Sequence, residues 1–407
     1  TFLGDGSRGG YAGVAPDAEL YFQAMENDNT GNFVSPSLNY LLNSAYNAGA
    51  RIHTNSWGSS ATSTQGEYTS EAEAVDDRSF NYDRVSNGQE GLTILFAAGN
   101  DGPGAGTVGS PSTAKNVITV GNHQARYSGA PDNLMSGSSR GPTDDGRIKP
   151  DIIAPGGYVR SCRAQEAQDI EGSNWQSTWY LEYTGTSMAT PNAAGAATLI
   201  REYLIEIAQR PSPQGALVKA LLVLGAQDIN SRDIPNNDEG WGRVNLKETL
   251  APSQGRGIWV DDRSVLTSSG ASKSYVFNVT YANSQLKAVL AWSDYRGSRF
   301  ASKALVNDLD LEVESPDGTV YLGNDFANGR STTGGTKDDI NNLEVVLIDS
   351  AMKGIWTVRV KDAYHAGSGS QPFAIAVSGQ GVNDLRPDPQ VVLDSMQLTV
   401  TIPQVGD

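Results

Sequence analysis

Gly185-Thr186-Ser187-Met188-Ala189-Thr190-Pro191 is the most informative stretch of the chain, and Ala193, Ala194, Gly195, Ala196 and Ala197 follow it closely. The pattern predicts a helix that follows Ser187 and runs through Ala194 to about Ala208. A serine in the first turn of a helix faces backbone N–H groups without intrahelical acceptors, at the positive end of the helix dipole. Such donors stabilise the oxyanion formed when a serine attacks a carbonyl. Pro191 is expected to be tolerated because early helical positions need no N–H partner. The small residues let the helix lie buried against a sheet. A bare Gly-Thr-Ser would be better explained as a helix cap, so the whole string has to carry the catalytic reading.

Outward from this string, the first 250 or so residues alternate strand-like and helix-like segments. Ala18 to Ala24 reads as a strand, and so does Ile52 to Ser56. Pro36 to Ala50 carries Leu41, Leu42 and Tyr46 at helical spacing and closes at Gly49. Leu92 to Ala98 is a continuous apolar run, as expected of a buried parallel strand, and Val117 to Val120 repeats it. A further helix is predicted from Pro213 to about Leu224. Strands alternating with helices imply a parallel sheet covered on both faces.

After Pro252 the character changes. Ser274 to Thr280 alternates, with Tyr275, Phe277 and Val279 on one face. Leu286 to Trp292, Leu309 to Val313, Leu343 to Leu347, Ile355 to Val360 and Phe373 to Val377 read as further short strands. The turn signal Ser315-Pro316-Asp317-Gly318 separates two of them. Many short strands without long helices indicate an antiparallel sandwich or barrel. The expected division is therefore 1–253, 254–380, and 381–407 as a linker or the start of a further domain.

The 407 residues carry 46 acidic against 30 basic side chains, a formal charge of -16. That balance argues against nucleic-acid binding and suits bound cations. No apolar run approaches the roughly 18 residues of a membrane span. The single cysteine, Cys162, has no partner for an internal disulfide and reads as structural.

Further motifs lie in a fixed order: Gly13-Val14-Ala15-Pro16, Asn55-Ser56-Trp57-Gly58, Ala97-Ala98-Gly99-Asn100, Lys149-Pro150-Asp151, and Gly240-Trp241-Gly242-Arg243-Val244. With the serine string, this set resembles the subtilisin-like serine proteases (subtilases, family S8). It is most similar to the alkaline members that carry a C-terminal β-domain. The resemblance implies an α/β fold: a three-layer α/β/α subtilisin-like parallel sheet followed by an antiparallel, jelly-roll-like β-sandwich. It implies that Ser187 forms an acyl-enzyme and that Asn100, with the Ser187 N–H, donates to the oxyanion. Ser56, Trp57 and Gly58 would bind an extended peptide by strand addition, and Ala98 and Gly99 would line a substrate pocket. Protein or peptide substrates, secretion and a monomeric state are the matching expectations, with no nucleic acid or membrane partner.

A serine nucleophile needs a base, and the base needs a carboxylate. The resembled family carries its histidine in His-Gly-Thr-His ahead of the Gly-Val-Ala-Pro segment. None of the three histidines here, His53, His123 and His365, is followed by Gly. The chain is therefore expected to be a fragment whose Asp and His lie in an absent N-terminal segment or a complementary chain, and to be nearly inert alone. The alternative is a catalytically dead subtilase-like scaffold or binding module. Structural calcium is expected at Asp308, Asp310, Asn324, Asp325 and Asn341, because such clusters offer the oxygens Ca²⁺ requires and the resembled proteases bind calcium in this region.

Overall fold

The computed structural model describes residues 12–27, 30, 32–34, 36–84, 90–125, 131–163, 174–175, 180–229, 233–252, 256–366, 369–380 and 382. The tail expected to be a linker lies outside these residues, apart from Val382.

Strands β1 (Ile52–Asn55), β2 (Thr93–Ala97), β3 (Ile118–Gln124) and β4 (Ile152–Gly157) form a parallel sheet in the order β1-β2-β3-β4. Side chains alternate across a strand, so β2 sends Ile94 and Phe96 to one face and Leu95 to the other. The first face is covered by α1 (Leu38–Asn47) and α2 (Ser70–Asp83), through Leu38, Leu42, Ala72, Val75 and Tyr82. The second is covered by α3 (Thr186–Glu206) and α4 (Gly215–Gly225), with the short α5 (Leu246–Leu250) beside them. Covering both faces explains why β2 is apolar along its whole length.

Local signals account for the ends of the helices. The Ser37 hydroxyl accepts from the Tyr40 N–H at 3.3 Å and caps α1, which closes ahead of Gly49 at φ 100°. Helix α2 escapes sequence reading because its buried face is mixed: Asp76, Ser79 and Asp83 lie beside Val75 and Phe80. The expected strand at Ala18 to Ala24 is corrected, because the segment is irregular. It has no neighbour in a sheet among the described residues, and Leu20, Tyr21 and Phe22 are exposed. Together with β1, an edge of the sheet among the described residues, it lines a groove of about 670 Å³.

The β-rich part begins with β5 (Arg256–Asp261), β6 (Ser272–Val279), β7 (Ser284–Ala291) and β8 (Asn307–Glu314). It continues with β9 (Val320–Leu322), β10 (Leu343–Ala351), β11 (Gly354–His365) and β12 (Ala374–Gln380). Two antiparallel sheets result, β5-β12-β7-β10 and β6-β11-β8-β9. Between them lie Trp259, Leu290, Trp292 and Val377 from the first sheet and Tyr275, Phe277, Leu311 and Trp356 from the second. The first sheet is buried on its other face as well, where Ile258, Val260, Val289, Val345 and Ala376 pack with α4. Helix α4 is therefore apolar on nearly every side, with Lys219 paired to Asp151 at 2.9 Å, and every one of its residues is buried.

Candidate functional site

Helix α3 starts at Thr186, with Gly185 as its N-cap, and so includes Ser187, which the sequence reading placed just ahead of it. Its small residues Ala189, Ala193, Ala194 and Ala197 pack on Ile118, Val120, Ile152 and Ala154. The approach is close: a Cβ on Gly156 would lie 2.7 Å from the Gly185 carbonyl oxygen and 2.5 Å from Asn122 Cβ. The first-turn N–H groups do not share one fate. Met188 and Ala189 donate back to the Gly185 carbonyl at 3.0 and 3.3 Å. Thr186 N–H donates to Asn100 Oδ1 at 2.9 Å. Ser187 N–H has no acceptor among the described residues.

Asn100 is placed by Gly99, whose φ of 111° is open to glycine and where a Cβ would meet Ser139 Oγ at 2.7 Å. Its orientation is decided by its partners. Thr186 N–H and the Thr186 hydroxyl (3.1 Å) can only be met together by the amide oxygen, which turns the Asn100 amide nitrogen the other way, free to donate. One unpaired backbone N–H at Ser187 and one free side-chain amide at the same helix end form a two-donor site for an oxyanion.

Ser187 and Ser56 bond reciprocally. The Ser187 hydroxyl donates to the Ser56 carbonyl at 3.2 Å, and the Ser56 hydroxyl donates to the Ser187 carbonyl at 2.8 Å. Pro191 explains the second bond. It is the sixth residue of α3, not an early one, and it cannot donate to the carbonyl four residues back, which is that of Ser187. The sequence expectation for Pro191 is corrected accordingly. Beyond Ser56, the Trp57 and Gly58 backbone groups have no partners among the described residues, as a strip that takes an added strand requires. Trp57 is anchored edge-on against Phe96, with centroids 5.4 Å apart. Ala98 is fully buried and its carbonyl accepts from Gly109 N–H at 3.2 Å. The structure thus brings Ser187, Asn100, Ser56, Trp57, Gly58, Ala98 and Gly99 into one region around the start of α3. Sequence reasoning missed Thr186 as the group that orients Asn100, and the Ser56 hydroxyl as the donor that replaces Pro191.

The subtilase family profile matches residues 3–242, more than half of the chain. The chain belongs to the subtilase family. Among relatives, it is 27% identical to the serine protease/ABC transporter B family protein tagD of Dictyostelium discoideum, over 83% of this chain and 25% of that protein. It is 38% identical to the serine protease AprX of Bacillus subtilis (strain 168), over 39% of this chain and 35% of that one. The chain thus spans about a quarter to a third of the length of these relatives. Among solved structures, sphericase is 26% identical, with 60% of this chain and 74% of that chain covered and a TM-score of 0.43.

No histidine of this subtilase bonds Ser187. His53 is buried on β1, facing Gln23 Oε1 at 3.1 Å and Asn55 Nδ2 at 2.9 Å. His123 is buried on β3, with Nδ1 at 2.9 Å from the Gln124 carbonyl. Burial lowers both to about 4, so both are neutral near pH 7. His365 pairs with Asp362 at 2.7 Å on the β-rich part.

Two of the expected calcium residues meet at a third side chain: the Asn324 and Asn341 amides both donate to Asp338 Oδ2, at 2.6 and 2.7 Å. Asn341 Oδ1 accepts from Ile148 N–H and Asn324 Oδ1 from Val345 N–H, both at 2.9 Å. The Asp325 oxygens take the Thr332 hydroxyl and Gly335 N–H at 3.0 Å. These three residues thus also hold the backbone around them. Asp308 and Asp310, separated by a β-bulge, each keep a buried oxygen without a donor, and so does Glu344. Burial, then Asp310, Asp338 and Asp339, push Asp308 up to about 7. Among the described residues, no three acidic, His or Cys side chains already converge as a cage for an ion. No described helix is long and apolar enough to cross a membrane.

Proposed function

We propose that this chain is the nucleophile-bearing portion of a secreted serine endopeptidase, with an α/β catalytic region over 1–253 and a supporting β-domain over 254–380. The observation that carries this reading is the start of α3, where Ser187, its own unpaired N–H and the free Asn100 amide meet beside the open backbone of Trp57 and Gly58. In this reading a peptide adds as a strand along residues 56–58, and Ser187 Oγ attacks the scissile carbonyl. The Ser187 N–H and Asn100 amide hold the oxyanion. The Ser56 carbonyl occupies the Ser187 hydroxyl in the resting state and is no base. All three histidines are engaged elsewhere, so the base and its carboxylate come from a preceding segment or a second chain. The groove between residues 18–25 and β1 is the entry this reading assigns to that segment. A monomer acting on protein substrates is the corresponding assembly.

Fluorophosphonate labelling tests it. Ser187 is expected to label only when the chain is joined to, or mixed with, a subtilase N-terminal segment bearing Asp and His, and Ser187→Ala is expected to abolish labelling. A folded, complemented chain that neither labels nor cleaves casein would favour the dead-scaffold alternative.

Calcium enters as a narrower proposal. Asp308 and Asp310, with the neighbouring Glu344, have the unpartnered carboxylate oxygens on which a hard cation would act, neutralising acids that repel one another. A melting temperature unchanged by chelation and calcium re-addition would remove it.

A further inference from the structure

A cavity of about 480 Å³ lies at the seam between the helical and β-rich parts, away from Ser187. Its wall includes Lys287 on β7, Arg256 on β5 and Arg330, with Gly225 and Gln227 at the end of α4. Lys287 is 2% exposed, and its ammonium donates to the Val223 carbonyl at 2.7 Å. No other acceptor among the described residues takes its two remaining N–H groups. The nearby guanidinium groups are only partly used. Arg256 donates to Ser378 Oγ at 2.7 Å and Glu248 at 2.9 Å, leaving Nη2 uncommitted among the described residues. Arg330 pairs with Asp349 and donates to the Gly329 carbonyl, again leaving Nη2 uncommitted among them.

The nearest acids are spoken for. Glu248 serves Arg256, Asp349 serves Arg330 and Gln285, and Asp228 on the same wall has a partner of its own. Among the described residues no acid offsets the charge of Lys287: burial first, then Arg256 and Arg330, hold it down to about 7. A buried ammonium is tolerated when paired, and truncating or omitting its partner is costly. The Val223 carbonyl at the end of α4 supplies one partner, which a purely structural helix cap would also need. It does not explain why two guanidinium groups with spare donors share the cavity.

We propose that this cavity binds a small oxyanion, a carboxylate or inorganic phosphate, held by Lys287, Arg256 and Arg330 across the seam. The anion fills a place that no described side chain fills, and it ties α4 to the inner sheet. Planar guanidinium forks and a point ammonium together suit a multi-oxygen anion and not chloride.

The test is a thermal melt and a calorimetric titration of the full chain in phosphate, acetate and chloride at matched ionic strength. The melting temperature is expected to rise saturably in phosphate or acetate and not in chloride. A response to acetate alone assigns a carboxylate, such as an acidic side chain or a peptide terminus. A response to phosphate alone assigns phosphate. Arg330→Gln, at a half-exposed position, is expected to weaken the response roughly tenfold, the scale of one charge-assisted hydrogen bond. Lys287→Met is expected to abolish it while leaving a folded chain. If Lys287→Met does not fold, Arg330→Gln decides. Equal melting temperatures in all three anions, or an unchanged response in Arg330→Gln, would overturn the proposal and leave Lys287 as a helix cap.

Discussion

Ser187 sits where one carbonyl and one N–H of the same residue both lack helical partners, for different reasons. The N–H is unpaired because every helix leaves its first donors free. The carbonyl is unpaired because Pro191 stands four residues on. Ser56 satisfies the carbonyl, and this couples Ser187 to the stretch that continues into Trp57 and Gly58. Ser56→Ala is expected to cost roughly 0.5–1.5 kcal/mol, the net worth of one hydrogen bond, because water can reach the exposed site. It is also expected to slow fluorophosphonate labelling of the complemented protein, while Ser56→Thr retains both. Equal melting temperature and labelling rate in Ser56→Ala would show that the bond positions nothing. Asn100 was readable from its motif, whereas the turn of its amide depends on Thr186, which only the folded chain brings to it.

At the scale of elements, β1 and β3 each bury a neutral histidine. For His53 and His123 the folded value of about 4 lies below the unfolded 6.5. Their contribution is therefore fully present above pH 6.5 and is lost as pH falls from 6.5 toward 4, because the unfolded chain takes up protons first. Each is expected to remove about 2 kcal/mol by pH 5. Carboxylates raised by burial act in the opposite sense, Asp83 at about 6 among them. The informative measurement is thus a difference: denaturant unfolding at pH 7 and pH 5 for the parent and for His53→Gln. The substituted chain is expected to lose less stability on acidification, and identical losses would refute the assignment. Most strands and helices were legible because their periodicity reports which faces are covered. The run Ala288-Val289-Leu290-Ala291-Trp292 is continuous because its sheet is buried on both sides, while Tyr275, Phe277 and Val279 alternate on the outer sheet. Residues 18–24 have the composition of a strand, yet a strand exists only where a neighbour pairs with it.

Across the whole molecule, the two parts share buried charges as well as an apolar core. Lys115 is fully buried; it bonds Asp294 at 2.7 Å and the Ala304 carbonyl at 2.6 Å, and lies 3.9 Å from Asp76. Arg210 near α3 pairs with Asp262 of the β-rich part, and Ser293 donates to Asp83 at 2.6 Å. Removing one member of a buried pair leaves the other uncompensated. Lys115→Ala is therefore expected to cost about 3–5 kcal/mol, and Lys115→Met with Asp294→Leu to recover most of it. Because the pair spans both parts, unfolding followed by near-ultraviolet circular dichroism and by tryptophan fluorescence is expected to show one transition. Two separated transitions, with only one shifted by Lys115→Ala, would contradict this coupling.

The amino-acid sequence by itself determined the ordered motifs of the family and the parallel and antiparallel halves. Each of these is carried by residue type and spacing along the chain. The tertiary structure decided the rest. Asn324 and Asn341 are separate loop residues in sequence, and only the folded chain brings both amides to the one carboxylate of Asp338. Lys287 reads as an ordinary strand lysine until α4 is packed over it. Partners distant in the chain decide whether a polar group is free, and only the packed chain brings them together.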